Sequence, residues 1–154
     1  MKNRTDVFYR MFASFFFTGY FPLFPGTVGS AAALPFYLLI SGLHPLNYLL
    51  LTAGLTIASI FIADRAEKIL GVKDPKKVVI DEVAGMLITM TAASPTMGHM
   101  ITGFIIFRVL DIIKPYPAGL MEKIKGGAGI VLDDVVSGIY SCIILHFIIK
   151  QFGL

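Results

Sequence analysis

Five apolar segments alternate with short polar connections along the chain, and this pattern predicts the secondary structure. The segments cover residues 28–43, 46–63, 83–94, 100–113 and 130–149. The stretches "SGLHP" and "SPTMGH" separate two pairs of segments with the proline and glycine that are typical of tight turns. The pattern predicts an all-α fold, and the absence of an internal repeat or linker predicts a single domain over residues 1–154.

The amino-acid composition favours a membrane protein over a soluble helical bundle. The chain of 154 residues is 56% hydrophobic and only 15% charged, and its mean hydropathy is +0.79. We therefore expect a multi-pass membrane helical bundle. Residues 46–63 come closest to the length of about 20 apolar residues that a spanning helix needs. Segments 83–94 and 100–113 are short, so they either cross with help from their neighbours or pack into a partly immersed bundle.

Lysine and arginine residues gather in alternate connections, and this predicts the orientation of the bundle. They flank the apolar segments on one side: Lys2, Arg4, Arg10, Arg65, Lys68, Lys73, Lys76, Lys77, Lys114, Lys123 and Lys125. The turns around His44 and His99 contain neither residue type, so the positive-inside rule places the basic connections in the cytoplasm. The N-terminus lacks a small-residue cleavage site, and we expect it to be retained. The net charge of +3 suits an anionic membrane surface but is too weak to indicate a nucleic-acid partner.

Five of the ten carboxylates fall at the predicted cytoplasmic ends of three segments. Asp81 and Glu82 open the third segment, Asp111 ends the fourth, and Asp133 and Asp134 open the fifth. One interpretation is N-capping, since acids near a helix start interact favourably with its dipole. Two such pairs at one depth would repel each other unless a cation lay between them. Carboxylates without nearby histidine or cysteine favour Mg²⁺, with Ca²⁺ and Mn²⁺ as weaker alternatives.

The stretch "FIIFRVLDIIKPYP" places Arg108, Asp111 and Lys114 on one helical face. Arg108 offers a planar fork that suits phosphate, and Lys114 offers a point charge where Pro115 stops the helix. The alternative is that Arg108 merely pairs with Asp111, while Lys114 extends to the membrane surface.

Two glycine-bearing stretches can offer backbone N–H groups to an anion. The stretch "FPGTVGS" contains Thr27, and "KIKGGAGI" contains Lys125 and Gly127. Neither is a Walker loop, and such glycines also make turns or close helix contacts. The single cysteine, Cys142, has no arginine loop after it, and the histidines lie away from the acids, which argues against cysteine or histidine nucleophiles. The remaining set favours phosphoryl transfer.

Four stretches, "FPGTVGS", "IDEVAGM", "FRVLDIIKPYP" and "GGAGIVLDDVVSG", resemble the signature segments of the phosphatidylglycerophosphatase A family. The resemblance covers residues 19–145 and implies an all-helical, Mg²⁺-dependent phosphatase of the bacterial inner membrane, with its active site facing the cytoplasm. Such an enzyme converts phosphatidylglycerophosphate to phosphatidylglycerol and inorganic phosphate.

The resemblance also implies roles for the residues singled out above. The five carboxylates would bind one or two Mg²⁺ ions, Arg108 and Lys114 would hold the phosphomonoester, and Thr27, Lys125 and Gly127 would add contacts to the substrate. The expected nucleophile is water activated by the metal, with one carboxylate as the base. An aspartyl-phosphate intermediate is the alternative.

Two other functions stay open on the sequence alone. A small ion or solute transporter would carry charges through the whole membrane depth, whereas these charges gather at one face. A catalytically silent relative of the family would bind metal or phosphate without turnover.

Overall fold

The structure, a computed structural model, describes residues 4–153, so Lys2, which contributed to the predicted orientation, lies outside the described residues. Within this range seven α-helices follow one another, with a short 3₁₀ turn at Thr18–Tyr20. Their bounds are Arg4–Ala13 (α1), Pro25–Ile40 (α2), Pro45–Leu70 (α3), Ile80–Thr89 (α4), Met97–Ile113 (α5), Ala118–Met121 (α6) and Gly127–Phe152 (α7). No strand occurs within residues 4–153, and the predicted all-α fold is confirmed.

The five predicted segments correspond to α2, α3, α4, α5 and α7, whereas α1 and α6 are helices that the apolar pattern did not predict. The predicted stop after α5 is confirmed. Lys114 follows the last helical residue in a left-handed conformation with φ of 49°, directly before Pro115. A non-glycine residue in this region is uncommon and costs energy, which the surrounding contacts must offset.

In the part of the chain that the structure describes, two helices, α3 and α7, are long and apolar enough to cross a membrane, each with 26 residues. By contrast, α4 has 10 residues, and at 1.5 Å per residue it is about 15 Å long, half the thickness of a bilayer's hydrocarbon core. Eight residues of α4 are buried in the bundle: Ile80, Asp81, Val83, Ala84, Gly85, Met86, Leu87 and Thr89. Of the two alternatives for this segment, length and burial favour packing into the bundle.

The hydrophobic core surrounds α4. One cluster joins α2, α3, α4, α5 and α7 around Tyr37, Met86 and Phe107. A second cluster joins α1, α3, α4 and α7 around Ala63 and Val131. The short central helix is therefore held from several sides, and the residues at its start are fixed in place.

Helices α4 and α7 approach closely where two glycines meet. A Cβ on Gly138 would lie 2.5 Å from the carbonyl oxygen of Gly85, and a Cβ on Gly85 would lie 2.6 Å from the Phe107 ring. Only glycine allows this approach without moving a backbone. Gly85 follows Glu82 by about one turn and Gly138 follows Asp134 by four residues, so the contact places the two acid pairs opposite each other.

Candidate active site

A polar cavity of about 410 Å³ lies where the first turns of α2 and α4 meet the end of α5 and the first third of α7. Among the residues that the structure describes, six carboxylate and three cationic side chains line it. They are Asp74, Asp81, Glu82, Asp111, Asp133, Asp134, Lys76, Arg108 and Lys114. The structure therefore brings all seven predicted catalytic residues into one cavity.

Three of the carboxylates form a group at the buried part of the cavity. Single oxygens of Asp81, Glu82 and Asp134 all lie within 4.8 Å of one another. Asp81 and Asp134 are buried and Glu82 is half-buried. Burial first, and the charge of Glu82 second, raise the pKa of Asp81 well above its usual range. Burial likewise raises the pKa of Glu82, although a hydrogen bond with Asp81 opposes this effect.

Several buried oxygens of the cavity lack partners. Within the described part of the chain, Asp81 Oδ1, Glu82 Oε2 and Asp133 Oδ1 are buried without a hydrogen-bond partner. A buried carboxylate is costly unless it is hydrogen-bonded, paired with a cation or bound to a metal. Oxygen donors alone, with no histidine or cysteine beside them, suit a hard cation such as Mg²⁺. The residues present fit this ion.

The other two predicted ligands are held by cations. Arg108 donates to Asp111 Oδ2 at 2.7 Å, and Lys114 Nζ donates to Asp133 Oδ2 at 2.7 Å. The Arg108–Asp111 pair that the sequence offered as an alternative is thus present, but Arg108 Nε is buried and has no partner among the residues that the structure describes. The arginine therefore keeps a donor that the pair does not use.

Lys114 is directed towards the interior of the protein. Its ammonium also lies 3.4 Å from Glu122 Oε1. Burial acts to lower the pKa of Lys114, but its hydrogen bond with Asp133 and the charges of nearby carboxylates outweigh burial and raise the pKa. Lys114 is accordingly a fixed positive charge in the cavity at neutral pH.

The prediction that Asp133 and Asp134 open a helix is wrong. Helix α7 begins at Gly127, so these acids lie about 9 Å along its axis, beyond the first turn. N-capping does not apply to them, since a helix leaves free N–H groups only in its first turn. Residues 123–126 of the glycine-rich stretch form a loop, as predicted, whereas residues 127–130 are helical and Gly127 packs closely against α3.

The three predicted substrate-contact residues outside the acid cluster lie in different places. Thr27 lines the cavity from the first turn of α2. Lys125 is exposed and is not among the described residues that line it. Gly127 packs on α3, where a Cβ would lie 2.6 Å from the backbone nitrogen of Asp64. This glycine therefore makes the close contact between helices that the sequence offered as the alternative.

Sequence reasoning missed the residues that hold Arg108 in place. Ser30 is fully buried; its hydroxyl accepts from Arg108 at 3.3 Å and donates to the Gly26 carbonyl at 2.8 Å. A Cβ on Gly26 would collide with Glu82 Oε1. The signal was present in "FPGTVGS", where Gly26 and Ser30 are four residues apart and share a helical face.

Fold and cavity together define a class of protein: an all-helical bundle with apolar helices and a polar cavity that has donors for both a cation and a phosphate. The family model of phosphatidylglycerophosphatase A matches residues 11–149, and the chain belongs to this family. The prediction from the four motifs is confirmed, and with it the prediction that the protein is an enzyme, a phosphatase.

Three curated relatives match over most of their lengths. Phosphatidylglycerophosphatase A of Escherichia coli K12 is 38% identical over 91% of this chain and 83% of its own. A Bacteroides thetaiotaomicron protein, provisionally named phosphatidylinositol-3-phosphatase, is 36% identical over 84% of this chain and 86% of its own. Phosphatidylglycerophosphatase A of Haemophilus influenzae is 34% identical over 80% and 78%. No solved structure matches the chain.

Proposed function

We propose that the protein hydrolyses the terminal phosphomonoester of phosphatidylglycerophosphate and releases phosphatidylglycerol and inorganic phosphate. The observation that carries this proposal is the cavity in which Asp81, Glu82 and Asp134 lie beside Arg108 and Lys114. Carboxylates for a metal and cations for a phosphate are the two requirements of phosphoryl transfer. The names of two relatives support the choice of lipid.

Asp81, Glu82 and Asp134 would hold Mg²⁺, because their oxygens lie close together and two of them have an oxygen without a partner. When bound, the ion supplies positive charge that polarises the phosphate and makes water more acidic. Without it, three carboxylates within 4.8 Å would repel one another.

Arg108 and Lys114 would bind the oxygens of the phosphomonoester. Ser30 and Asp111 orient the guanidinium, which leaves Nε to donate to a phosphate oxygen. Asp133 fixes the Lys114 ammonium, whose position hardly needs to change when a phosphate arrives. This pre-organisation reduces the cost of aligning phosphate and water.

A carboxylate of the cavity would accept the proton of the attacking water. Asp133 Oδ1 is buried and has no partner among the described residues, while its other oxygen holds Lys114. An oxygen with a free lone pair beside two phosphate-binding cations meets the requirements of a general base. The chemistry then needs no cysteine or histidine.

The lipid tails would stay in the bilayer beside α3 and α7, with the cavity facing the cytoplasm of a bacterial inner membrane. In support, the end of α3 and the start of α7 are in contact through Asp64 and Gly127. Arg65, Lys68 and Lys73 lie at that end of α3 or just beyond it, in accordance with the positive-inside rule.

The test is phosphate release from detergent-dispersed phosphatidylglycerophosphate, with Mg²⁺ or with a chelator. Wild type is expected to release phosphate only with Mg²⁺, and Asp111→Asn to lose at least about 100-fold in rate, since Arg108 loses its orienting partner. Asp6→Asn, in the first turn of α1, is the matched control and should behave as wild type. If well-folded wild type releases no phosphate with any divalent cation, a transporter or a silent relative is the better interpretation.

A further inference from the structure

Lys76 differs from the other two cations of the cavity. Arg108 and Lys114 are each committed to a carboxylate at 2.7 Å. Within residues 4–153, Lys76 forms no ion pair within 4.0 Å. It is exposed, whereas Asp81 and Asp134 are buried. Lys76 therefore offers an uncommitted positive charge at the outer part of the cavity.

The backbone that carries Lys76 is anchored on both sides. Pro75 and Val78 are buried next to it, and the N–H of Val78 donates to the Pro75 carbonyl at 2.8 Å. The N–H of Val79 donates to the Ala13 carbonyl at 2.9 Å, which ties the segment to the end of α1. The position of Lys76 at the cavity is thus set by fixed backbone, although its side chain is long.

The neighbouring lysine has different surroundings. Lys77 Nζ lies 4.8 Å from the centroid of the Tyr20 ring, a distance at which an ammonium is attracted to the face of the ring. Lys77 is not among the described residues that line the cavity, whereas Lys76 is. Two adjacent lysines of equal charge therefore differ in whether they contact the cavity.

Both kinds of lipid named for the relatives carry two phosphates. One is a phosphomonoester on the head group, and the other is the phosphodiester that joins the head group to diacylglycerol. Phosphatidic acid, by contrast, has a monoester only. With Arg108 and Lys114 at the monoester, the diester would enter a cavity in which carboxylates outnumber cations six to three, so it needs a cation of its own.

We propose that Lys76 binds the phosphodiester and thereby selects lipids with a diester and a separate monoester over phosphatidic acid. This inference rests on the proposed function. An ammonium on a flexible stem suits a diester whose position varies with the head group, because it acts as a point charge with rotatable donors. Specificity is a difference in binding free energy between two lipids. Lys76 would contribute to the binding of the lipid that has a diester and not to the binding of phosphatidic acid.

The experiment compares Lys76→Met with Lys77→Met, which remove the same charge from neighbouring positions. Each variant is assayed with phosphatidylglycerophosphate and with phosphatidic acid. If phosphatidic acid is not hydrolysed, its inhibition constant against phosphatidylglycerophosphate is measured in its place. Lys76→Met is expected to lower the selectivity for phosphatidylglycerophosphate about tenfold, mainly through KM, as expected for one lost charged contact. Lys77→Met should keep the wild-type selectivity within about twofold.

Phosphatidylglycerol provides a second readout, because it keeps the diester and lacks the monoester. Its inhibition constant should rise by about the same factor in Lys76→Met and stay near wild type in Lys77→Met. Equal selectivity in the two variants, or an equal loss towards both lipids in Lys76→Met, would overturn the inference while leaving the proposed function intact. Wild type that releases no phosphate from phosphatidylglycerophosphate would overturn both.

Discussion

The two ends of the bundle bury polar side chains in opposite ways. At the end away from the acids, a cavity of about 350 Å³ is lined by Tyr37 and Tyr48. Their hydroxyls donate to the carbonyl oxygens of Ala93 at 2.6 Å and Leu87 at 2.7 Å. At the acidic end, Asp81 Oδ1 and two further carboxylate oxygens are buried without a partner among residues 4–153.

This difference separates groups that stabilise the fold from groups that bind a ligand. A buried hydroxyl with a good partner contributes to stability, whereas a buried carboxylate without one lowers it. Proteins accept such a cost mainly at functional sites, where a ligand completes the interactions. The comparison therefore predicts opposite responses to mutation at the two ends.

Asp81→Asn should have the largest effect, on activity and not on stability. Even groups that only support metal ligands contribute about 10- to 100-fold to affinity or activity, so loss of a ligand should lower phosphate release by more than about 100-fold. Removing one of several close carboxylates also removes repulsion, so the metal-free variant should have a Tm at or above that of wild type. Phosphate release and thermal unfolding, measured on the same preparation, check both parts. Near wild-type turnover would contradict the metal-site assignment.

Gly138→Ala should disturb the acidic end through packing alone. Its Cβ would lie 2.5 Å from the Gly85 carbonyl, so α4 and α7 must separate and move the two acid pairs apart. We expect a loss of about 1–3 kcal/mol in the free energy of unfolding, typical of overpacking, together with at least about a tenfold loss of activity. Thermal unfolding and phosphate release measure the two effects.

Gly54→Ala is the matched control, because no described residue comes within 4 Å of the Cβ that it would add on α3. It should be neutral or stabilising by up to about 1 kcal/mol, since alanine favours helix. Equal effects of the two alanine variants would argue that the close contact of α4 and α7 does not position the site.

Tyr37→Phe should affect stability and leave activity within about twofold. The variant leaves the Ala93 carbonyl without its buried donor, which costs about 1 kcal/mol. Chemical denaturation should show the loss of stability, and phosphate release should show the nearly unchanged activity. This is the reverse of the result expected for Asp81→Asn. A loss of phosphate release in Tyr37→Phe as large as that in Asp81→Asn would show that the two ends do not act separately.

The smallest effect is a dependence of stability on pH in the presence of a chelator. The pKa values of Asp81 and Glu82 are raised in the folded protein, so their contribution to stability is present below the unfolded pKa of about 4 and is lost as pH rises towards the folded value. Tm should therefore fall as pH rises above about 4, and less steeply in Asp81→Asn. Added Mg²⁺ should raise Tm more at pH 8 than at pH 5. A Tm that rises over this range would contradict the pKa directions.

The sequence predicted the helices well because their signals are local. Apolar runs marked α2, α3, α4, α5 and α7, and the Lys114–Pro115 step marked the end of α5. The glycine-rich start of α7 was missed, because glycine disfavours helix locally and only the contact between Gly127 and α3 shows why it is helical.

The composition of the site was also predictable, but not its internal pairing. Arg108 and Asp111 are three residues apart, so their ion pair follows from helical geometry. Lys114 and Asp133 are 19 residues apart in sequence, and their pairing depends on how α5 and α7 pack. Lys76 contributed only to the predicted orientation of the bundle, since no local sequence feature distinguishes it from Lys77.

The most direct test of the central claim is a titration of the purified protein with Mn²⁺, in which electron paramagnetic resonance measures the free ion. The account predicts that wild type and Tyr37→Phe bind Mn²⁺ with the same affinity, that Mg²⁺ displaces it, and that Asp81→Asn weakens binding at least about tenfold. Phosphate release by a wild type that binds neither ion, or Mn²⁺ binding that survives unchanged in Asp81→Asn, would contradict the claim that these carboxylates form the metal site.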